Sequence, residues 1–284
     1  MKVIRSIKEM SAVIKKIKAK RKRIGFVPTM GALHAGHLSL IRRARKENDF
    51  TIVSIFVNPA QFASGEDFEK YPRNLRADAL LCKKEGVDIV FYPAVKEVYP
   101  DGFRSYVTVE GLSGLLCGKS RPGHFKGVAT AVTKLFNIIC PDTAYFGQKD
   151  AQQALIIKRL ARDLNMPVKI KVMPIIRDKD GLAISSRNAY LDEKERKEAV
   201  VLSAALEMAR DLISRGIRDA REVARRVSGL IKAKKKARID YLAVVDPQDL
   251  KPVKKIKGNC LIALAVWVGK TRLIDNMIIS GKKN

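Results

Sequence analysis

The chain has 284 residues, 46% of them apolar and 30% charged, with four cysteines and three histidines. That length suits one large domain or two modest ones, and the composition excludes a disordered or fibrous chain. The balance of 56 Lys and Arg against 29 Asp and Glu gives a net charge of +27, which excludes an acidic protein and predicts attraction to anions.

The longest clearly apolar stretch, residues 261–268, is far short of the ~20 residues that span a bilayer, so no membrane association is expected. The opening MKVIRSIKEM has neither an apolar core nor a small-residue cleavage site, so no secretory signal is expected. Cys82, Cys117, Cys140 and Cys260 stand far apart with no C-x-x-C pair. This argues against a disulfide framework and a Cys-type zinc site, and predicts a reducing, cytoplasmic setting. The basic residues gather in three runs, KKIKAKRKR (15–23), KAKKKAR (232–238) and KPVKKIK (251–257). Single-strand binders interleave aromatics with their basic residues, and none of these runs contains one. They read as solvated helix and loop faces, and no specific nucleic-acid partner is expected.

In chain order, residues 24–28 predict a short buried strand. Residues 38–48 follow with Leu38, Ile41 and Ala44 at helical spacing. The β-branched run at 51–57 predicts a second strand. Pro72 is placed to open a helix that Gly86 closes, and residues 87–92 form another strand. A helix over 126–139, a strand at 144–147, a helix over 151–164 and a strand at 168–176 complete βαβ units with a parallel sheet. After Ile176 the polar stretch 177–188 predicts a loop. Asp192 and Glu195 resemble a capping box opening one long helix over 193–214. A helix at 220–232 and strands at 238–245, 261–268 and 273–279 predict a smaller α+β domain with an antiparallel sheet. The expected class is α/β with domains at 1–176 and 177–284.

Five segments carry chemistry. FVPTMGALHAGH (26–37) leads from a strand through a glycine-containing turn into a helix, a geometry that points backbone N–H groups and a positive helix end at an anion. His34 and His37 share a face there and could donate to phosphate oxygens. No G-x-G-x-x-G follows the strand and no P-loop string occurs, so a dinucleotide redox enzyme or P-loop enzyme is not expected. FVNPAQF (56–62) brings Gln61 to the next strand end, where open α/β sheets bind ligands. RPGHFKGVATAVTKLFN (121–137) holds the third histidine. FGQKDAQQ (146–153) delivers Lys149, Asp150 and Gln153, and ISSRN (184–188) offers two hydroxyls and a guanidinium suited to phosphate. Taken singly, each of the last four also reads as an ordinary turn or polar loop.

Together PTMGALHAGH, FVNPAQF, YPRNL (71–75), RPGHFKGV, KLFNI, FGQKDAQQ and ISSRN closely resemble the pantoate–β-alanine ligases, a family within the HxGH nucleotidyltransferases. The matching strings span residues 28–188. The resemblance implies a Rossmann-like first domain, with the smaller second domain acting as a lid. It implies a two-step reaction: pantoate attacks the α-phosphorus of ATP, then β-alanine displaces AMP from the pantoyl adenylate. ATP would be held by Met30, Gly31, Ala32, Leu33, His34, Ala35, Gly36 and His37, by Gly147, Gln148, Lys149 and Asp150, by the Ile176 backbone, and by Ile184, Ser185, Ser186 and Arg187. His37 would donate a proton, with His34 and Lys149 assisting on the phosphates. Gln61 and Gln153 would grip pantoate, with Gln61 also near β-alanine, and Arg121 and His124 would border the site. Mg²⁺ and a homodimer are further implications. Gln148 and Ile184 stand where many family members carry Glu and Leu. Two rivals stay open at this point: a nucleotidyltransferase joining a nucleotide to a phosphorylated acceptor, and an RNA-binding protein.

Overall fold

The computed structural model describes residues 1–63 and 65–281. The chain divides into two units. Met1–Gly114, Arg121–Gln148 and Gln153–Pro174 form the first; Leu115–Ser120, Lys149–Gln152 and Ile175–Asn284 form the second. Two short segments thus join the second unit although they precede residue 175.

The first unit is built on six parallel strands: β1 (Lys2–Ile4), β2 (Ile24–Thr29), β3 (Phe50–Ile55), β4 (Ile89–Phe91), β5 (Thr143–Gly147) and β6 (Lys169–Met173). Their spatial order is β1-β4-β3-β2-β5-β6. The chain builds outward from β2 through β3 and β4, then returns to place β5 on the other side of β2. The order therefore reverses at β2/β5, and open α/β sheets bind ligands beyond the carboxyl ends of strands at such a point. Phe26, Val27, Ile52 and Val53 are fully buried, as expected of strands covered on both faces.

Helices α1 (Ile7–Ala19), α2 (Ala35–Glu47), α3 (Leu75–Lys84), α4 (Val95–Val98), α5 (Cys117–Ser120), α6 (His124–Ile139) and α7 (Ala151–Asp163) fall between these strands. The expectation missed β1 and α1. Met10, Ile14 and Ile17 form a buried stripe on α1, but the interleaved lysines disguise it in the sequence. Helix α2 starts at Ala35, three residues before the apolar period becomes visible, because His34 caps it. Helix α3 starts at Leu75 rather than at Pro72: the Asn74 side chain accepts from the Ala77 N–H at 3.0 Å and sets the cap.

The second unit holds α8 (Glu193–Ala199), α9 (Val201–Ser214), α10 (Ala220–Lys232) and the antiparallel sheet β7 (Ala237–Val245), β8 (Asn259–Val268), β9 (Thr271–Ser280), in that spatial order. The Asp192–Glu195 capping box is present. The single helix expected over 193–214 is instead two, separated at Val200, where ψ tightens to −20° and both neighbours, Ala199 and Val201, remain in the core. On α10, Val223, Val227 and Ile231 are fully buried, at spacings of four, in one core cluster with Ile262, Leu264 and Val266 of β8. The α/β class, a parallel sheet followed by a smaller α+β unit, matches the sequence expectation. No helix among the described residues is long and apolar enough to cross a membrane.

Candidate active site

Strand β2 ends at Thr29, whose hydroxyl donates to the Ser54 carbonyl (2.7 Å) and accepts from the Gly31 N–H (3.1 Å). The chain then turns through Gly31 (φ +88°) and Ala32 (φ +49°), both left-handed. Gly31 is required here, since a Cβ would lie 2.9 Å from a carboxylate oxygen of Asp78. Asp78, 3% exposed, accepts from the Ala32 N–H at 3.0 Å and the Leu33 N–H at 2.8 Å.

His34 then caps α2. Its Nδ1 accepts from the Gly36 N–H (3.2 Å), and the Nδ1 of His37 accepts from the His34 N–H (3.4 Å). This is a capping box made of two imidazoles in place of the usual hydroxyl and carboxylate. A ring nitrogen that accepts carries no proton, so each neutral ring holds its proton on Nε2. The rings lie face to face, centroids 4.1 Å apart and tilted 31°. No acidic side chain of α2 itself sits in its first turn; the acid beside the helix start is Asp78 of α3, on the Ala32 and Leu33 N–H groups. The sequence suggested backbone N–H groups aimed at an anion. Those of residues 31, 32, 33, 34 and 36 already have protein acceptors. The polar groups of this turn that differ from backbone are therefore the two imidazole rings.

Gln61 closes a 3₁₀ turn, Pro59–Gln61, just beyond β3. Buried Asn58 holds the turn. Its amide donates to the Gly127 carbonyl (3.0 Å) and the Gln61 Oε1 (3.1 Å), while its oxygen accepts from the Ala60 N–H (3.2 Å) and the Tyr99 hydroxyl (2.8 Å). Burial pushes the Tyr99 phenol up to about 12, which keeps it a donor. Gly127 lets α6 approach the turn: a Cβ would sit 2.0 Å from the Ala60 carbonyl oxygen. The Gln61 carbonyl accepts from the Nδ1–H of His124 (2.8 Å), whose Nε2 lies 3.1 Å from an Arg121 guanidinium nitrogen. Arg121 also grips Glu66 through two bonds of 2.6 and 2.7 Å. Burial pushes the Glu66 carboxyl up, but the Arg121 bonds and charge outweigh it and hold it below its ordinary value. Arg121 and His124 therefore clamp the backbone of Gln61. The Gln61 side chain itself donates to the Met30 sulfur at 2.8 Å.

At β5 the strand ends on Gly147, with Gln148 opening the next turn. On α7 the two glutamines separate in role. Gln152 is buried, with both ends of its amide used by the Leu115 carbonyl and the Cys117 N–H, while Gln153 is half-buried. In the first unit, then, Met30, His34, His37 and Gln61 follow the carboxyl ends of β2 and β3, and Gly147 is the carboxyl end of β5. A cavity of about 550 Å³ also opens at this edge, lined by Met30, Phe56, Asp78 and Tyr92 among others.

The remaining predicted residues belong to the second unit. The Ile176 carbonyl accepts from the Ile184 N–H (3.0 Å), and the Ser185 hydroxyl caps the 3₁₀ turn Ser186–Tyr190 by accepting from the Arg187 N–H (3.2 Å). Two β9 residues secure these segments: buried Asp275 pairs with Arg177 (2.6 and 3.0 Å), and Asn276 donates to the Lys149 carbonyl (2.9 Å). Sequence reasoning missed Asp275 and Asn276, although a polar pair inside the apolar run LIDNMII was a usable signal. It also missed Asn58, Asp78 and Tyr99.

The family model for pantoate–β-alanine ligases matches residues 2–278. The chain belongs to that family. It is 54% identical over 279 residues to a pantothenate synthetase of Caldicellulosiruptor saccharolyticus, covering 98% of this chain and 99% of the relative. The crystal structure of a pantothenate synthetase from Thermus thermophilus superposes with a TM-score of 0.93 at 44% identity, covering 98% of this chain and 99% of that one. The pantoate–β-alanine ligase of Francisella tularensis, solved with beta-gamma ATP and β-alanine, gives a TM-score of 0.82 at 36% identity, covering 98% and 97%. The chain is thus an enzyme of the pantoate–β-alanine ligases, with the fold of that family.

Proposed function

We propose that the chain joins pantoate to β-alanine in two steps through pantoyl adenylate. In the first, a pantoate carboxylate oxygen attacks the α-phosphorus of ATP, and the bond to the bridging oxygen breaks to release pyrophosphate. In the second, the β-alanine amine attacks the acyl carbon, AMP leaves with the bond electrons, and the amine proton passes to solvent or base. The observation that carries this reading is the pair of stacked imidazoles, each with its Nδ1 on a backbone N–H, at the start of α2 just past the carboxyl end of β2.

Carboxylate and triphosphate repel, so the first step needs donors where negative charge accumulates. His37 is proposed to donate to the departing pyrophosphate and His34 to the phosphates beside it. ATP is assigned to residues 30–37, 147–150 and 184–187 and the Ile176 backbone, with Lys149, Ser185, Ser186 and Arg187 on its phosphates. Gln61 and Gln153 are assigned to pantoate, and Gln61 also to β-alanine. Amides suit that task because they bind hydroxyl and carboxylate without adding a charge or a competing nucleophile. Among the described residues no group of three or more His, Cys, Asp or Glu could hold a metal ion, so Mg²⁺ is assigned to the substrate, as the counter-ion of the triphosphate. The second unit is assigned the part of a lid that keeps water from the adenylate. A homodimer and a cytoplasmic location complete the proposal; the four free thiols suit a reducing compartment.

The test is isotope exchange between pyrophosphate and ATP. With pantoate and Mg²⁺ but no β-alanine, exchange is expected. Its absence from a preparation that makes pantothenate when β-alanine is added would overturn the stepwise route.

A further inference from the structure

We propose that Asp78 is a positioning residue for the two histidines: its carboxylate occupies the anion nest of the turn and thereby sets the stacked pair in register. The inference rests on the reading of His34 and His37 as the phosphate-facing donors. Successive N–H groups in a turn that passes through left-handed backbone form a concavity that attracts anions. In this turn Gly31 and Ala32 have φ of +88° and +49°, and the N–H groups of Ala32 and Leu33 converge. That nest is filled from within the chain, one Asp78 oxygen to each N–H, at 3.0 and 2.8 Å.

The contact is built for a carboxylate in particular. Each N–H bonds a separate oxygen, so the contact uses both acceptor atoms of a carboxylate, whereas an amide would turn an NH₂ donor toward one of the two N–H groups. A Cβ on residue 31 would press on the same oxygen at 2.9 Å, so the glycine and the acid are fitted to one another. Leu33 immediately precedes the N-cap, so whatever fixes its N–H fixes where the His34 ring begins. The turn thus has no slack: Thr29 holds residue 31, Asp78 holds 32 and 33, and the histidines hold 34 and 36. Burial pushes the Asp78 carboxyl up, partly offset by the Leu33 and Ala32 N–H bonds. Asp78 also lines the 550 Å³ cavity with Arg5, Arg73, Tyr92 and Glu97, and its charge reaches Cys82 one turn along α3.

The experiment is nitrogen NMR of the histidine rings in wild type and in Asp78→Asn, alongside pyrophosphate exchange kinetics. In wild type both rings are expected to show an unprotonated Nδ1 and a protonated Nε2. In D78N the single-tautomer pattern is expected to average, and kcat to fall on the order of 10- to 100-fold while KM for pantoate stays within roughly twofold. Asp78→Glu, which restores two acceptors, is expected to recover part of the lost rate. Should D78N fail to fold, the wild-type chain still decides: the Ala32 and Leu33 amide signals are expected to follow a single carboxyl titration. Wild-type ring spectra and kcat in folded D78N, or amides blind to that titration, would overturn the proposal. Loss of exchange in wild type itself would instead remove the adenylate reading, while the ring spectra still report on Asp78.

Discussion

At the residue scale the proposed chemistry centres on two histidines, each with its Nδ1 on a backbone N–H. The cap engages both Nδ1 atoms with backbone N–H groups rather than with a carboxylate; the acid of this turn, Asp78, bonds the Ala32 and Leu33 N–H groups before the cap. Replacing either histidine removes a donor and also frees the helix start. His37→Ala is expected to lower turnover by roughly 10²-fold or more with the fold retained, and His34→Ala to lower turnover and raise KM for ATP; steady-state kinetics with circular dichroism checks both. These residues were legible because histidine is rare in this chain and both follow a strand end. Gln61 was legible for the same positional reason. Asp78 was not, since an acid within RADALLCKK looks like any solvated helix residue, and only the packing of α3 under the turn buries it. Arg121 and His124 were expected only to border the site, and their contacts to the Gln61 carbonyl were not legible because they join residues about 60 apart in sequence.

At the scale of elements, the site depends on how closely helices approach strand ends. Gly127 on α6 is the clearest case. Gly127→Ala would force a methyl to within 2.0 Å of the Ala60 carbonyl oxygen, so the Pro59–Gln61 turn must move. The expected cost is about 1–3 kcal/mol of stability together with a raised KM for pantoate, read from denaturant unfolding and kinetics. A second element-level device ties α2 to β5 and β6. Glu47 accepts from Lys171 (2.6 Å) and the Tyr145 hydroxyl (2.7 Å). Lys171, then Tyr145, then Arg43 hold its carboxyl at about 2, against an ordinary 4.5, in spite of the opposing effect of burial. Because the folded value is the lower one, this network adds stability that is whole above the unfolded value and is lost as pH falls toward 2. Glu47→Gln is therefore expected to lower Tm at pH 7 and to close the gap with wild type between pH 4 and 2, measured by calorimetry. Helix α10 and the three strands of the second unit were readable to within two residues, because their apolar periods are clean. The break at Val200 was not, since nothing in the sequence there departs from a helical pattern.

For the whole molecule, the excess of basic residues lies on solvent. Lys15, Lys16, Lys20, Arg21 and Lys22 are exposed around the end of α1, as are Lys232, Lys234, Lys254 and Lys257 in the second unit. Charge placed this way attracts polyanions without shape or sequence selection. Binding to single-stranded RNA, followed by fluorescence anisotropy, is expected to weaken about a thousandfold or more between 50 and 200 mM salt and to ignore sequence. Affinity that survives high salt would mean a specific surface instead. The order in which the molecule can assemble is constrained by β9. Asn276 reaches back 127 residues to Lys149, and Asp275 reaches back 98 residues to Arg177. During synthesis, both loops emerge from the ribosome long before the strand that anchors them. Nascent chains arrested before residue 271 should therefore present these segments to proteases, and release past β9 should protect them.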